Sequence, residues 1–315
     1  MRAIVMREHG GPGVLQSEDV QEPALRTGHV RVHVSLAGVS ADDVLARTGA
    51  IAGGPLPRTL GTEVVGMADD GRRVVGLIDG GGYAEKVLMP LDACWDVPAG
   101  IDDFQALALV RDGIAAWHAL FTAAQLQPNE TIVVTEAGSA VGVLTIQLAQ
   151  RFGARVIALV QHPAEGEHAR ELGADAVVDS TAGNSGEQVT VAAGGTVDTV
   201  IDFGGGRTVT SLLTTLAPGA RVVMYGHPPV DAEPIGLDLL LRQSLSICGF
   251  QLPHLYGDRI GLAMGLRALF ATVLDGTLVL PPGKTYPLAQ AAQAHLDLEA
   301  AQGPGLRKLA LDATV

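Results

Sequence analysis

Between residues 29 and 36 the chain alternates, with Val30, Val32, Val34 and Leu36 on one face. A period of two with one apolar face predicts a half-buried strand. Short β-rich runs at 3–6, 63–66, 73–77 and 83–89 are separated by glycine and proline, which predicts an all-β body from residue 1 to about 110. A short helix is predicted over 42–46, with Ser40 as its N-cap. From about residue 112 the pattern changes. The run 131–135 (TIVVT) is continuously β-branched and leads through a small-residue turn into a helix at 140–152. A strand at 155–160 (RVIALV), a helix at 164–172 and strands at 176–178, 197–202, 221–226 and 245–249 follow. Strands apolar on both faces and alternating with helices predict a parallel sheet of about six strands, covered on both sides. The tail reads as a helix (260–274), a strand (284–286), a helix (289–301) and a last strand (307–311). That strand is expected to complete the N-terminal β body. The predicted architecture is therefore α/β, with a doubly wound parallel sheet over residues 111–253 and a discontinuous β domain built from 1–110 and 254–315.

Composition narrows the function. Apolar residues make up 47% of the 315 and charged residues 17%, which excludes wholesale disorder. Acids outnumber Lys and Arg by 34 to 21, a formal charge of -13, so nucleic acid and anionic membrane surfaces are poor partners. No apolar run reaches the ~18 residues of a membrane span and no signal peptide is visible, so a soluble, cytoplasmic protein is expected. Cys94 and Cys248 lie far apart among apolar neighbours. Without a C-x-x-C there is no four-thiolate zinc site and no disulfide scaffold, and both are expected to be small buried hydrophobes.

Ligands of a doubly wound sheet bind at the carboxyl ends of its strands, where the strand order reverses. The first such turn reads Thr135-Glu136-Ala137-Gly138-Ser139-Ala140-Val141-Gly142. Residues 138–142 are candidate dinucleotide contacts, because small side chains let backbone N–H groups at the helix N-terminus reach a pyrophosphate. A purely structural strand–helix turn is the alternative. Glu136 argues against an anion unless its side chain points away. NAD usually needs an acid near the end of the second strand. None lies between Glu136 and Glu165, which disfavours NAD held by an acid. His162 is the one base in that loop for a 2′-phosphate, or else a solvated histidine. Gly226 and His227 end the fifth strand at the same edge. His227 is a candidate proton donor near neutral pH, or an ordinary loop histidine.

These motifs resemble the zinc-independent quinone oxidoreductases of the medium-chain dehydrogenase/reductase superfamily, and the resemblance runs nearly end to end. It rests on the opening MRAIVMREHGGPGVLQSEDV, on AGVSADDVLARTG and GGGYAEKVLMP, on LQPNETIVVTEAGSAVGVLTIQLAQRFGARVIALV, and on ELGADAVVD, VDTVIDFGGG, LAPGARVVMYG, LSICGF and TYPLAQAAQAH. It implies a GroES-like β-barrel domain plus a Rossmann domain, NADPH in the cleft between them, and a homodimer through the sheet edge at 245–249. It also implies hydride transfer to a quinone or an α,β-unsaturated carbonyl compound.

Zinc-dependent members carry Cys where this chain has Ser40, and Gly-His-Glu where it has Gly61-Thr62-Glu63, so the resemblance implies no metal. Ser40 and Thr62 become candidate substrate contacts, with a helix cap and a strand-end hydroxyl as their plainer roles. Phe250 and Leu252 match positions lining the nicotinamide pocket, or else pack in the core. Arg111 and Asp112 fall in the nicotinamide-facing loop, where a salt-bridged hinge competes with catalysis. Three departures stand out: glycine positions carry Glu136, Ser139 and Ala140; a Lys that holds the 2′-phosphate falls at Glu165; and a Tyr that assists it falls at Ser180. They keep a second reading open, a relative that has lost hydride transfer and binds a small hydrophobic ligand or catalyses a non-redox step such as a cyclisation.

Overall fold

The computed structural model describes residues 1–51, 54–204, 207–226, 234–280, 283–300 and 308–315, the side chain of Arg207 excepted. They form two compact units: Met1–Arg111 with residues 258–300 and 308–315, and the stretch from Asp112 to Gly257.

The first unit opens with strands β1 (Arg2–Met6), β2 (Gln16–Asp19) and β3 (His29–Val39), helix α1 (Ala41–Thr48), and strands β4 (Arg58–Thr59), β5 (Glu63–Ala68), β6 (Arg73–Leu77), β7 (Lys86–Pro90) and β8 (Cys94–Asp96). Helix α2 (Asp103–Ala108) follows. The alternation that predicts β3 makes it the spine of the larger sheet. It pairs antiparallel with β5 along one edge and with β7 at the start of the other. The strand expected at 83–89 begins only at Lys86, because Tyr83 N–H donates to the Leu60 carbonyl and Ala84 bridges to Ala3. Met6, Val32, Leu60, Val64, Tyr83 and Met89 are buried together in the core of this unit.

The second unit holds helix α3 (Ile114–His118), β9 (Thr131–Val134), α4 (Ala140–Arg151), β10 (Arg155–Val160), α5 (Pro163–Glu171), β11 (Ala176–Asp179), α6 (Ser185–Ala193), β12 (Val197–Asp202), α7 (Arg207–Leu212), β13 (Leu216–Tyr225), α8 (Leu237–Gln243) and β14 (Ser246–Phe250). Its six strands run parallel in the order β11-β10-β9-β12-β13-β14, with the reversal between β9 and β12. Val133, Ile157, Val200 and Val222 bury the centre, as continuous β-branched runs covered on both faces must.

The chain then returns to the first unit with α9 (Arg259–Leu274), β15 (Lys284–Pro287), α10 (Ala291–Ala300) and β16 (Leu309–Asp312). Strand β16 pairs antiparallel with β3, Leu309 opposite Val39 and Leu311 opposite Ala37, so the β body is discontinuous.

The cysteines differ from expectation. Cys94 is half-buried, and burial pushes its thiol up to about 11. Cys248 is exposed. It sits on β14, the terminal strand of its sheet, where apolar neighbours in sequence do not guarantee a covered face. No helix among the described residues is long and apolar enough to cross a membrane.

Candidate active site

The turn between β9 and α4 is built by three local devices. Thr135 anchors it to β12: its hydroxyl donates to Asp202 Oδ1 at 2.7 Å and accepts from Phe203 N–H at 3.0 Å. Ser139 caps α4 and accepts from Gly142 N–H at 3.0 Å, satisfying one of the donors a helix start leaves open. Gly142 lies flat on the preceding turn, where a Cβ would stand 2.4 Å from the Glu136 carbonyl oxygen. Ala140 and Val141 form the first residues of α4, so the turn presents the N-terminus of a 12-residue helix at the reversal of strand order. Such a terminus attracts anions.

Glu136 occupies this turn at φ +46°, a left-handed conformation that a residue with a Cβ adopts at a cost. Its side chain turns away from the helix start: Oε1 accepts from Gln161 Nε2 at 2.8 Å and lies against Gly204. Burial raises the Glu136 carboxyl above its ordinary value of 4.5, and the negative charges of Asp202 and Glu165 add to the rise. A carboxyl whose folded pKa is raised contributes stability that is present below the ordinary value and lost as pH climbs through the raised one. Glu136→Gln should therefore gain on the wild type as pH rises from about 4 to about 7. Paired thermal melts across that range check it; a gap that stays constant with pH would refute the assignment of charge.

The other expected contacts divide. Gly226 follows β13 at φ +110°, with the Phe203 carbonyl 2.7 Å from where a Cβ would sit, so it belongs to the same strand edge. His162 stands at the start of α5, half-buried. Phe250 is buried, yet its ring meets Tyr225 at 5.3 Å between centroids, and Tyr225 meets Phe203 at 5.9 Å. These three rings line the carboxyl ends of β12–β14, and Phe250 alone among them is a candidate from the sequence. Leu252 is 1% exposed, as a core side chain would be. His227 lies outside the described residues.

In the first unit Ser40 and Thr62 each meet a charged partner of their own. Ser40 caps α1, and its hydroxyl donates to Asp43 Oδ2 at 2.6 Å. Asp43 also accepts from Ser40 N–H and Gly61 N–H, each at 3.0 Å. Thr62 Oγ1 accepts from Arg111 Nη1 at 3.2 Å, and Arg111 Nη2 bonds Asp42. Arg111 is thus ion-paired, with a guanidinium fork beside Thr62 that is able to polarise a carbonyl oxygen. Glu63, next in sequence, pairs with Lys308 at 2.5 Å. Behind them the Tyr83 hydroxyl meets His295 Nε2 at 3.1 Å. Burial holds His295 down to about 4, so it is neutral at pH 7, and burial likewise raises Tyr83. Among the described residues no group of three or more His, Cys, Asp or Glu side chains is placed to hold a metal ion.

Sheet order and turn define a protein with a Rossmann-type dinucleotide fold in one unit and a discontinuous β body in the other. Comparison with known proteins gives the same class. Residues 140–263 match a family model described as zinc-binding dehydrogenase. The chain is 30% identical to the quinone oxidoreductase of Mus musculus over 315 residues, 95% of this chain and 94% of the mouse protein. It is 29% identical to a 2-haloacrylate reductase of Burkholderia sp over 313 residues, 93% of this chain and 94% of that one. A mycobacterial protein solved in complex with NADPH superimposes with a TM-score of 0.90 at 27% identity, covering 99% of both chains. The chain belongs to the quinone oxidoreductase family of the medium-chain dehydrogenase/reductase superfamily.

Proposed function

We propose that this chain is an oxidoreductase that passes hydride from a reduced nicotinamide dinucleotide to a quinone or an α,β-unsaturated carbonyl compound, without zinc. The observation that carries it is the Ser139-capped α4 at the strand-order reversal, with Gly142 seated on the Glu136 carbonyl. Those residues fit a dinucleotide: Gly138, Ser139, Ala140, Val141 and Gly142 would hold the pyrophosphate, with Gly226 and Phe250 further along the same edge. The mycobacterial relative with NADPH bound supports NADPH as a form this fold accepts, and the Burkholderia 2-haloacrylate reductase supports a conjugated acceptor. When bound, the cofactor supplies the hydride; the protein's share is to orient the acceptor and stabilise the charge that develops on it.

For that charge Arg111 is the strongest candidate, a guanidinium steadied by Asp42 with Thr62 at its side. Ser40 already donates its hydroxyl proton to Asp43, so it is better suited to accept than to donate. Its commitment to Asp43, and that of Glu63 to Lys308, also argue against a metal at the positions matching zinc ligands. We further propose a small-molecule acceptor, a homodimer through β14 and a cytoplasmic location. His227 remains the proposed proton donor, and His162 and Leu252 proposed cofactor contacts, on the resemblance alone.

One observation favours the second reading, a relative without hydride transfer: the carboxylate of Glu165 borders the turn at Gly138. The deciding experiment is equilibrium titration with NADH and NADPH, followed by turnover with a panel of quinones and conjugated carbonyls. Binding with turnover carries the first reading, and absence of both leaves the second. Turnover is expected to survive dialysis against a strong chelator; activity lost to the chelator and restored by zinc would refute the zinc-independent assignment.

A further inference from the structure

In a doubly wound sheet the adenosine ribose lies at the carboxyl end of the strand beside the phosphate turn, and the group waiting there reads its 2′ position. Here that strand is β10. No acid occurs from residue 137 to residue 164, so the sequence places none at the end of β10. The fold does. Glu165 is the third residue of α5 and folds back as the acid of a capping box. Its Oε2 accepts from Gln161 N–H at 3.0 Å and from His162 N–H at 3.3 Å, the two residues that leave β10. The same carboxyl lies over the phosphate turn: a Cβ on Gly138 would stand 2.7 Å from Glu165 Cδ and 3.0 Å from Oε1. One carboxylate thus spans the strand end and the glycine turn, with Oε1 directed towards the turn.

The surrounding charge has one sign. Glu136 binds the Gln161 side chain beside it, Asp179 ends β11 and Asp202 ends β12. The sequence holds no lysine between residues 112 and 257. Arg155 begins β10 at the opposite edge, and Arg170 Nη1 turns to the Gly166 carbonyl. Among the described side chains at this end of β10, only His162 is basic. A ribose diol has two donors to offer a carboxylate, whereas a 2′-phosphate offers only acceptors and further negative charge.

We propose that Glu165 selects the cofactor, taking the hydroxyls of the adenosine ribose and repelling a 2′-phosphate, so that this chain binds NADH more tightly than NADPH. The proposal rests on the dinucleotide reading above. It makes Glu165 the acid that NAD-type recognition calls for, delivered from a helix instead of a strand.

The test is calorimetric titration of the full chain with NADH and with NADPH, at low and at high salt, for the wild type, Glu165→Gln and Glu165→Lys. The wild type should bind NADH on the order of tenfold more tightly than NADPH, with the gap narrowing as salt screens the repulsion. Glu165→Gln keeps an oxygen for the two N–H groups and should close most of the gap; Glu165→Lys should reverse it. Circular dichroism of each variant confirms the fold. Equal or tighter NADPH binding by the wild type, or a ratio unmoved in Glu165→Gln, overturns the role of Glu165 and leaves the dinucleotide reading standing. Failure of every variant to bind either nucleotide overturns both.

Discussion

Replacing Lys308 by methionine is expected to destabilise the β unit by roughly 3–5 kcal/mol, the cost of leaving a buried charge without its counter-ion. The pair is closed to water, with the Lys308 side chain 4% exposed and that of Glu63 0%. The carboxyl also rests on β3, where a Cβ on Gly38 would lie 2.3 Å from Oε1, so Glu63 has no room to swing outwards. Glu63 opens β5 and Lys308 precedes β16, so the ion pair ties both neighbours of β3 across a separation of 245 residues. Methionine keeps the stem of the lysine out to Cε and removes the ammonium group, with its charge and its hydrogen bond to Glu63. Urea denaturation in a Trp117→Phe background reports on this unit through Trp95 of β8. The double variant Glu63→Gln, Lys308→Met should recover much of the loss, since it removes both charges. A single variant with the wild-type midpoint would show that the pair is not structural.

Gly142→Val should lower affinity for either nicotinamide dinucleotide by about a hundredfold or more. Its first added carbon would meet the Glu136 carbonyl oxygen at 2.4 Å, Ala137 Cα at 2.9 Å and Ala137 C at 3.0 Å. All three are backbone atoms, so no side chain can rotate aside, and the turn itself must lift. That displaces the Ser139 cap and the N–H groups of α4, at about 1–3 kcal/mol of overpacking plus the lost hydrogen bonds to a phosphate. Gly138→Ala is the contrasting control. The three atoms nearest its Cβ all belong to the Glu165 side chain, which can change rotamer where backbone cannot, so its effect should be smaller. Equal affinities for Gly142→Val and wild type would remove the pyrophosphate from this turn.

Much of this arrangement is legible along the chain, and the rest is not, for identifiable reasons. The runs 155–160 and 197–202 appear unaltered as β10 and β12, because short runs rich in β-branched and apolar residues and bounded by turn signals leave little freedom. The cap Ser40 and the small-residue start of α4 are likewise local signals, and the structure bears out both elements. Edges were harder to read. Strand β7 begins at Lys86 because Tyr83 is claimed by a distant carbonyl, and Cys248 is exposed because its strand ends a sheet. The carboxyl-edge aromatics Phe203, Tyr225 and Phe250 come from three strands, and no local pattern joins them. Glu165 was visible as an acid three residues after His162, the spacing of a capping box. That spacing alone does not say that the carboxylate returns to the end of β10.

By itself, then, the sequence determined most of the strands, the helices α1, α4, α5, α9 and α10 and their α/β order, because hydrophobic period and turn chemistry act between near neighbours, while the family was legible only through the resemblance of whole motifs. Only the tertiary structure decided which charges meet: Glu63 with Lys308, Arg111 with Asp42 and Thr62, and Glu165 with the glycine turn. Those meetings depend on sheet order and on the direction in which a capped helix turns its first side chains, and both are set by packing across the whole unit rather than by any stretch of chain.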